Sequence, residues 1–151
     1  MIQKAVRTIW RLLPGPVRLR LIRTTQPKFT VSVAAVIIDD DRRILLLNHV
    51  LRPAASWGLP GGFIDRSEQP EDAVRREIEE ETGLGMKDVS MIRVRTVNRH
   101  IEILFRARPE GNAEVRSREI MEVGWFALED LPTGVSRVQR MLIETVLNGE
   151  V

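Results

Sequence analysis

The chain has 151 residues, 43% of them hydrophobic and 29% charged, which is ordinary for one soluble domain with a buried core. It contains no cysteine, so disulfides, thiolate zinc sites and cysteine nucleophiles are excluded, and two histidines, His49 and His100, are too few for a histidine-rich metal site. Any bound metal must be held mostly by oxygen, which points to hard cations such as Mg²⁺ or Mn²⁺.

The net charge of +2 conceals an asymmetry. Residues 1–38 hold seven basic residues (Lys4, Arg7, Arg11, Arg18, Arg20, Arg23, Lys28) and no Asp or Glu. The remainder keeps 16 of the 23 basic residues against all 21 acids, a balance near −5. The basic character belongs to an N-terminal appendage over residues 1–28, and the main domain, 29–151, is mildly acidic. No apolar run of about 18 residues is present, so no transmembrane helix is expected. Arg7 and Arg11 interrupt the apolar N-terminus and no small-residue cleavage site follows, so a signal peptide is not expected and the cytoplasm is the default address.

In chain order, Ile2, Ala5, Val6, Ile9, Leu12 and Leu13 recur at helical spacing, with Lys4, Arg7 and Arg11 elsewhere on the helix. Pro14-Gly15-Pro16 ends that helix. Residues 17–23 are open to two readings: their alternation favours a strand and their context a helix. Gln26-Pro27 reads as the joint to the main domain. Residues 29–38 and 44–50 are β-rich runs either side of a turn at Asp39–Arg43, and predict a hairpin. A loop from Arg52 to Trp57 leads into Gly58-Leu59-Pro60-Gly61-Gly62.

Pro70 marks a helix start, residues 71–82 carry the helical pattern, and Gly83 ends it. Residues 89–97 and 100–108 predict two strands with a turn near Asn98-Arg99, 109–118 a polar loop, and 121–127 a last strand with Trp125 and Phe126. After a turn at Leu131-Pro132, Val135, Val138, Leu142 and Val146 define an amphipathic helix that stops at Gly149. Paired strands, a central helix, more strands and a final helix predict an α/β fold, with helices on both faces of a mixed β-sheet.

Glu77, Glu80 and Glu81 lie three and four residues apart, which places their carboxylates on one helix face within about 100° of arc. Like charges so placed repel, and Arg76 is one positive charge against three; a divalent cation is the economical remedy. An exposed acidic face is the ordinary explanation of such a cluster. The Gly61-Gly62 pair just before the helix shifts the balance, because a backbone without side chains can approach a ligand closely and offer a carbonyl.

Gly62, Glu68 and the run Arg76-Glu77-Ile78-Glu79-Glu80-Glu81-Thr82-Gly83-Leu84 together resemble the Nudix box, matching all nine of its specified positions, and Trp57 to Gly61 is similar to the family's usual lead-in. The order of elements from about residue 29 to 148 fits the family as well. The resemblance implies a Nudix-type α/β/α sandwich that hydrolyses nucleoside diphosphates linked to another moiety, with Mg²⁺ or Mn²⁺ as cofactor. Carried over by position, it makes Glu77, Glu80, Glu81 and the Gly61 carbonyl the metal ligands, Arg76 the residue that orients Glu77, and Glu68 a supporting acid. Ile78 and Leu84 become core positions. The proton acceptor in the family is either a glutamate of the box or one from a later loop, and Glu119 and Glu122 are candidates of the second kind.

The box marks the scissile chemistry and not the substrate. Arg52, Arg93, Arg95, Arg99 and Arg106 are candidates for phosphate or base contact, with Arg52 and Arg99 singled out as substrate-binding. Trp57 and Phe63 flank the box. The aromatic and proline motif of the NADH pyrophosphatase branch is absent. A small-molecule substrate such as ADP-ribose is favoured; a nucleoside triphosphate, oxidised or not, is the runner-up. A nucleotide sensor that does not cut is the rival class, and the intact carboxylate set argues against it. For residues 1–28 three roles are open: packing on the chain's own domain or on a second subunit as a homodimer, peripheral membrane contact, and nucleic-acid attraction. Packing is favoured, and nucleic acid is the least expected because aromatic interleaving is poor.

Overall fold

The computed structural model describes residues 2–52 and 56–149; Pro53, Ala54 and Ala55 of the loop expected before Trp57 lie outside the described residues. Helices α1 (Ile2–Leu12) and α2 (Gly15–Thr25) come first. Strand β1 (Thr30–Ile37) and strand β2 (Ile44–His49) follow, and the short β3 (Trp57–Gly58) precedes helix α3 (Pro70–Thr82). Strands β4 (Gly85–Val97), β5 (His100–Glu110) and β6 (Ile120–Phe126) lead to helix α4 (Arg137–Leu147). No helix among the described residues is long and apolar enough to cross a membrane.

Residues 17–23, open between strand and helix, lie inside α2. Pro14 is its N-cap and Pro16 stands in its first turn, where a missing N–H costs nothing. The same three residues thus end one helix and start the next. β4 begins at Gly85, four residues ahead of the predicted 89. Register shifts against β5 between Lys87 and Ser90, with Asp88 at φ 54°, break the alternation that a sequence pattern relies on. Val135, counted with the last helix from its spacing, lies before the N-cap Ser136, whose side chain accepts from the Gln139 amide at 3.3 Å.

The strands fall into two three-stranded sheets, and the expected hairpin does not form: β1 and β2 part after an isolated antiparallel bridge between Ile38 and Ile44 and enter different sheets. One is mixed, in the order β1-β5-β4, with β1 parallel and β4 antiparallel to β5; the other, β3-β2-β6, is antiparallel. The two-residue period of β1 divides the core between the helices. Val33, Ala35 and Ile37 pack with Ala73, Val74 and Ile78 of α3. Ala34, Val36 and Ile38 pack with Leu142, Ile143 and Val146 of α4. Because both faces of β1 are covered, its sequence is continuously apolar from Val33 to Ile38. This is the expected α/β/α sandwich.

One feature of β1 positions the site. Its edge away from β5 is occupied by residues 60–64: the Val33 amide donates to the Gly62 carbonyl (2.9 Å), the Ala35 amide to the Pro60 carbonyl (3.0 Å), and the Ile64 amide to the Val31 carbonyl (3.1 Å). That segment therefore lies extended between the sheet and α3.

Candidate active site

The glycines of the extended segment are there because nothing larger fits. A Cβ at Gly61 would stand 2.2 Å from the Val33 carbonyl oxygen, and the residue's φ of 142° lies where side chains are strained. A Cβ at Gly62 would stand 2.4 Å from the Glu77 carboxyl carbon. The backbone thus comes within van der Waals reach of the carboxylates of α3.

α3 is fixed at both ends. Pro70 stands in its first turn with Glu71 and Asp72 beside the positive end of the helix dipole, and Gly83 closes it at φ 67° with its amide on the Glu79 carbonyl (2.8 Å). Its last carbonyls are taken by the loop after β5: Glu114 donates its amide to Thr82 (2.9 Å) and Arg116 its amide to Glu81 (3.0 Å). Ala73, Val74 and Ile78 anchor the inner face.

Of the three glutamates, Glu81 is buried, and its Oε2 accepts from the Gly61 amide at 3.1 Å. Burial pushes its carboxyl up to about 7; the Gly61 amide and Arg52 hold it down in part, while the charges of Glu77 and Glu119 raise it further. Arg76 is the organising cation. It donates from Nε and Nη2 to the two oxygens of Glu68 (2.8 and 2.9 Å), from Nη1 to Glu77 (2.8 Å), and from Nη2 to the Phe63 carbonyl (3.1 Å). The bonds from Arg76, with the Asp65 amide, pull Glu68 down to about 2. Glu80 turns to Arg76 as well, at a longer 3.4 Å, and is largely exposed. Among the described residues no three acidic or histidine side chains converge as a ready-made metal cage. Carboxylates crowded on one face splay apart, and Arg76 draws two of them.

Beside Gly61 and Gly62 opens a cleft of about 290 Å³, lined by polar groups from several elements, among them Ser32, Arg52, His100, Glu102 and Gln139. The His100 ring lies 2.8 Å from the Thr30 hydroxyl and 2.9 Å from that of Ser32. Phe63, 63% exposed, meets the ring edge to face with centroids 5.9 Å apart. Trp57, by contrast, packs edge to face against Phe126 at 5.0 Å.

The arginines singled out in the sequence part company. Arg52 lines the cleft and its charge reaches both Glu81 and His49. Arg99 sits on the β4–β5 turn, where its carbonyl accepts from the Thr30 amide (3.0 Å), and it lines a separate depression with Lys28 and Phe29. Arg95 pairs with Glu102, Arg93 lies with it beside Leu142 of α4, and Arg106 belongs to a third hollow near Asp39. Glu119 is exposed at the start of β6, and Glu122 pairs across to Asn48. Burial, with the Arg52 charge, lowers the buried His49 to about 4, so its ring is neutral at pH 7.

Ser32, His100, Glu102 and Gln139 escaped the sequence reading. Their convergence depends on β1 lying parallel to β5 in one register, Ser32 opposite Glu102, and on α4 crossing beneath. No local pattern encodes that.

A sandwich whose central helix lays a row of glutamates along a glycine segment is the architecture of the Nudix hydrolases. The NUDIX domain profile matches residues 28–145, and the chain belongs to this family. A MutT-like protein of Streptomyces ambofaciens is 30% identical over 128 residues, covering 83% of this chain and 82% of that protein. An ADP-ribose pyrophosphatase of Methanocaldococcus jannaschii is 37% identical over 103 residues, and the match spans 64% of this chain and 61% of that one. The crystal structure of a MutT NUDIX hydrolase from Burkholderia pseudomallei superposes with a TM-score of 0.70 at 34% identity, covering 79% of this chain and 98% of that one. The protein is a Nudix hydrolase.

Proposed function

We propose that the chain uses Mg²⁺ or Mn²⁺ to hydrolyse the pyrophosphate linkage of a nucleoside diphosphate joined to a second moiety, ADP-ribose being the favoured representative, and that it does so in the cytoplasm. The observation that carries this reading is Glu81, buried on α3 against the amide of Gly61, a residue that also lines the polar cleft. The similarity to an ADP-ribose pyrophosphatase supports the choice of substrate.

The donor set fits a hard divalent cation. Glu77, Glu80 and Glu81 offer only oxygen, and they set three carboxylates on one helix face beside the single guanidinium of Arg76, which already pairs with Glu68. The Gly61 amide already meets Glu81, and the carbonyl of the same residue would add a backbone oxygen to the set. Glu80 joins by a rotamer change away from its long bond to Arg76. A divalent cation in this place supplies neutralisation of the diphosphate oxygens and a water of lowered pKa.

The chain's own groups do the rest. Arg76 fixes Glu77 through a charge-assisted bond and is itself held by Glu68. Arg52 binds a phosphate of the substrate in the cleft. Glu119, whose charge is felt at Glu81, accepts the proton of the attacking water. Ser32, His100 and Gln139 supply the polar contacts that select the nucleoside side. Arg99 lines the neighbouring depression, which shares His100 with the cleft.

A product screen with Mg²⁺ and with Mn²⁺ tests the reading. The panel holds ADP-ribose, nucleotide sugars, NADH, dinucleoside polyphosphates, nucleoside triphosphates and oxidised nucleotides, with Glu81→Gln as the blank. Metal-dependent release of AMP and ribose 5-phosphate from ADP-ribose supports it. Preferential cleavage of a triphosphate to monophosphate and pyrophosphate replaces the substrate and keeps the site. Nucleotide binding without turnover across the panel overturns the enzyme in favour of a sensor.

A further inference from the structure

Residues 6–25 present a surface unlike the rest of the molecule. Viewed down α1, Val6, Ile9, Trp10, Leu12 and Leu13 fall within an arc of roughly 160°, and Arg7 and Arg11 stand on the opposite side. The Leu13 amide still donates to the Ile9 carbonyl (3.2 Å), so Leu13 continues the turn. A helix that packs on its own domain buries such an arc. Here Val6 is 59%, Ile9 60% and Leu12 79% exposed. α2 has no buried residue and carries Arg18, Arg20 and Arg23.

We propose that α1 is an interfacial helix that seats the protein on an anionic lipid surface, its apolar arc among the acyl chains and its arginines among the headgroup phosphates. Charge selects this occupant. The first 38 residues carry seven basic side chains and no acid, whereas the remainder is near −5, so an anionic bilayer attracts one end of the molecule and repels the other. The appendage of a second copy would bring like charge against like. A nucleic acid would satisfy the arginines and leave the apolar arc in water.

Length and placement agree with a helix lying in the plane of the interface. Eleven residues at 1.5 Å each reach about 16 Å, near half the hydrocarbon thickness of a bilayer. Trp10 sits at the edge of the apolar arc on the flank nearest Arg7, the position from which an indole reaches headgroup level. In α2 the apolar residues are distributed around the helix between arginines, so it adds charge beside the membrane and has no single face to insert.

The test is co-sedimentation of the full chain with phosphatidylcholine vesicles made with and without phosphatidylglycerol. Binding to the anionic vesicles alone, released by raised salt, is expected, with a blue shift of tryptophan emission that Trp10→Phe removes. Ile9→Asp abolishes binding. Arg7→Gln with Arg11→Gln lowers the partition coefficient about 30-fold, at about 1 kcal/mol per basic residue at an anionic surface. Neither variant changes the thermal midpoint or the hydrolysis of a soluble nucleotide. Absence of binding to anionic vesicles overturns the proposal. So does undiminished binding of Ile9→Asp, which would mean adsorption by charge alone. An oligomer in sedimentation velocity that Ile9→Asp dissociates, or an oligonucleotide that binds where vesicles do not, gives the surface to another occupant.

Discussion

α1 and α3 are helices of similar length, 11 and 13 residues, each with an apolar side and a charged side, and the fold treats them in opposite ways. α3 turns Ala73, Val74 and Ile78 into the core and is tied at its C-terminal end by the loop after β5, so that its glutamates are held against Gly61 and Gly62. α1 keeps Val6, Ile9 and Leu12 in the open. Periodicity establishes that a helix has a face; what covers the face depends on the remainder of the chain or on something outside it. In α3 burial serves to hold carboxylates where like charges would otherwise part.

The largest effects expected from breaking this contrast are catalytic. Glu80→Gln and Glu81→Gln each lower turnover by orders of magnitude while the circular dichroism spectrum stays native-like; near-normal rates in both would remove the metal assignment. Gly62→Ala, whose Cβ would meet the Glu77 carboxyl at 2.4 Å, costs roughly 10²-fold in kcat with the fold retained, as expected of a displacement near 1 Å.

Stability separates the helices next. Ile78 is fully buried, and Ile78→Ala lowers the unfolding free energy by about 2–5 kcal/mol in a urea titration. Ile9→Ala changes it by less than about 0.5 kcal/mol. Equal losses would show that α1 packs on the body after all.

A smaller effect is set by pH. Glu81 titrates near 7 in the folded, metal-free protein and near the ordinary 4.5 when unfolded. Between those values the folded state binds the extra proton, so this group's contribution to stability falls as pH rises through the window and stays low above it. Glu81→Gln therefore stabilises the metal-free protein at pH 8 and has little effect at pH 4.5, read from thermal midpoints. Mg²⁺ or Mn²⁺ raises the wild-type midpoint at pH 8 and not that of the variant. A Glu81→Gln protein less stable than wild type at pH 8 would contradict the burial penalty.

What was legible in the sequence was what is local. Glu77, Glu80 and Glu81 share a face because a helix places residues three and four apart together, and Pro70 and Gly83 mark its ends wherever it packs. The runs that become β1 and β2 and the spacing that becomes α4 are local too, but the pairing is not: the expected hairpin opens after a single bridge between Ile38 and Ile44, and its two strands join different sheets. The start of β4 was hidden by the irregularity at Asp88, and the conformation of residues 17–23 by arginines that alternate in a segment that is helical nonetheless. In the site, Arg52 and Arg99 were singled out together, and only Arg52 lines the cleft. The polar lining of the cleft was not legible, since Ser32, His100 and Gln139 come from three elements whose adjacency is decided by parallel pairing and helix packing.

The most direct trial of the central claim is the initial rate of AMP formation from ADP-ribose, with and without Mg²⁺ or Mn²⁺, for wild type, Glu81→Gln and Ile9→Asp side by side. Metal-dependent turnover that persists in Ile9→Asp and vanishes in Glu81→Gln is the predicted result. Turnover that is indifferent to metal, or that Glu81→Gln retains, would contradict it.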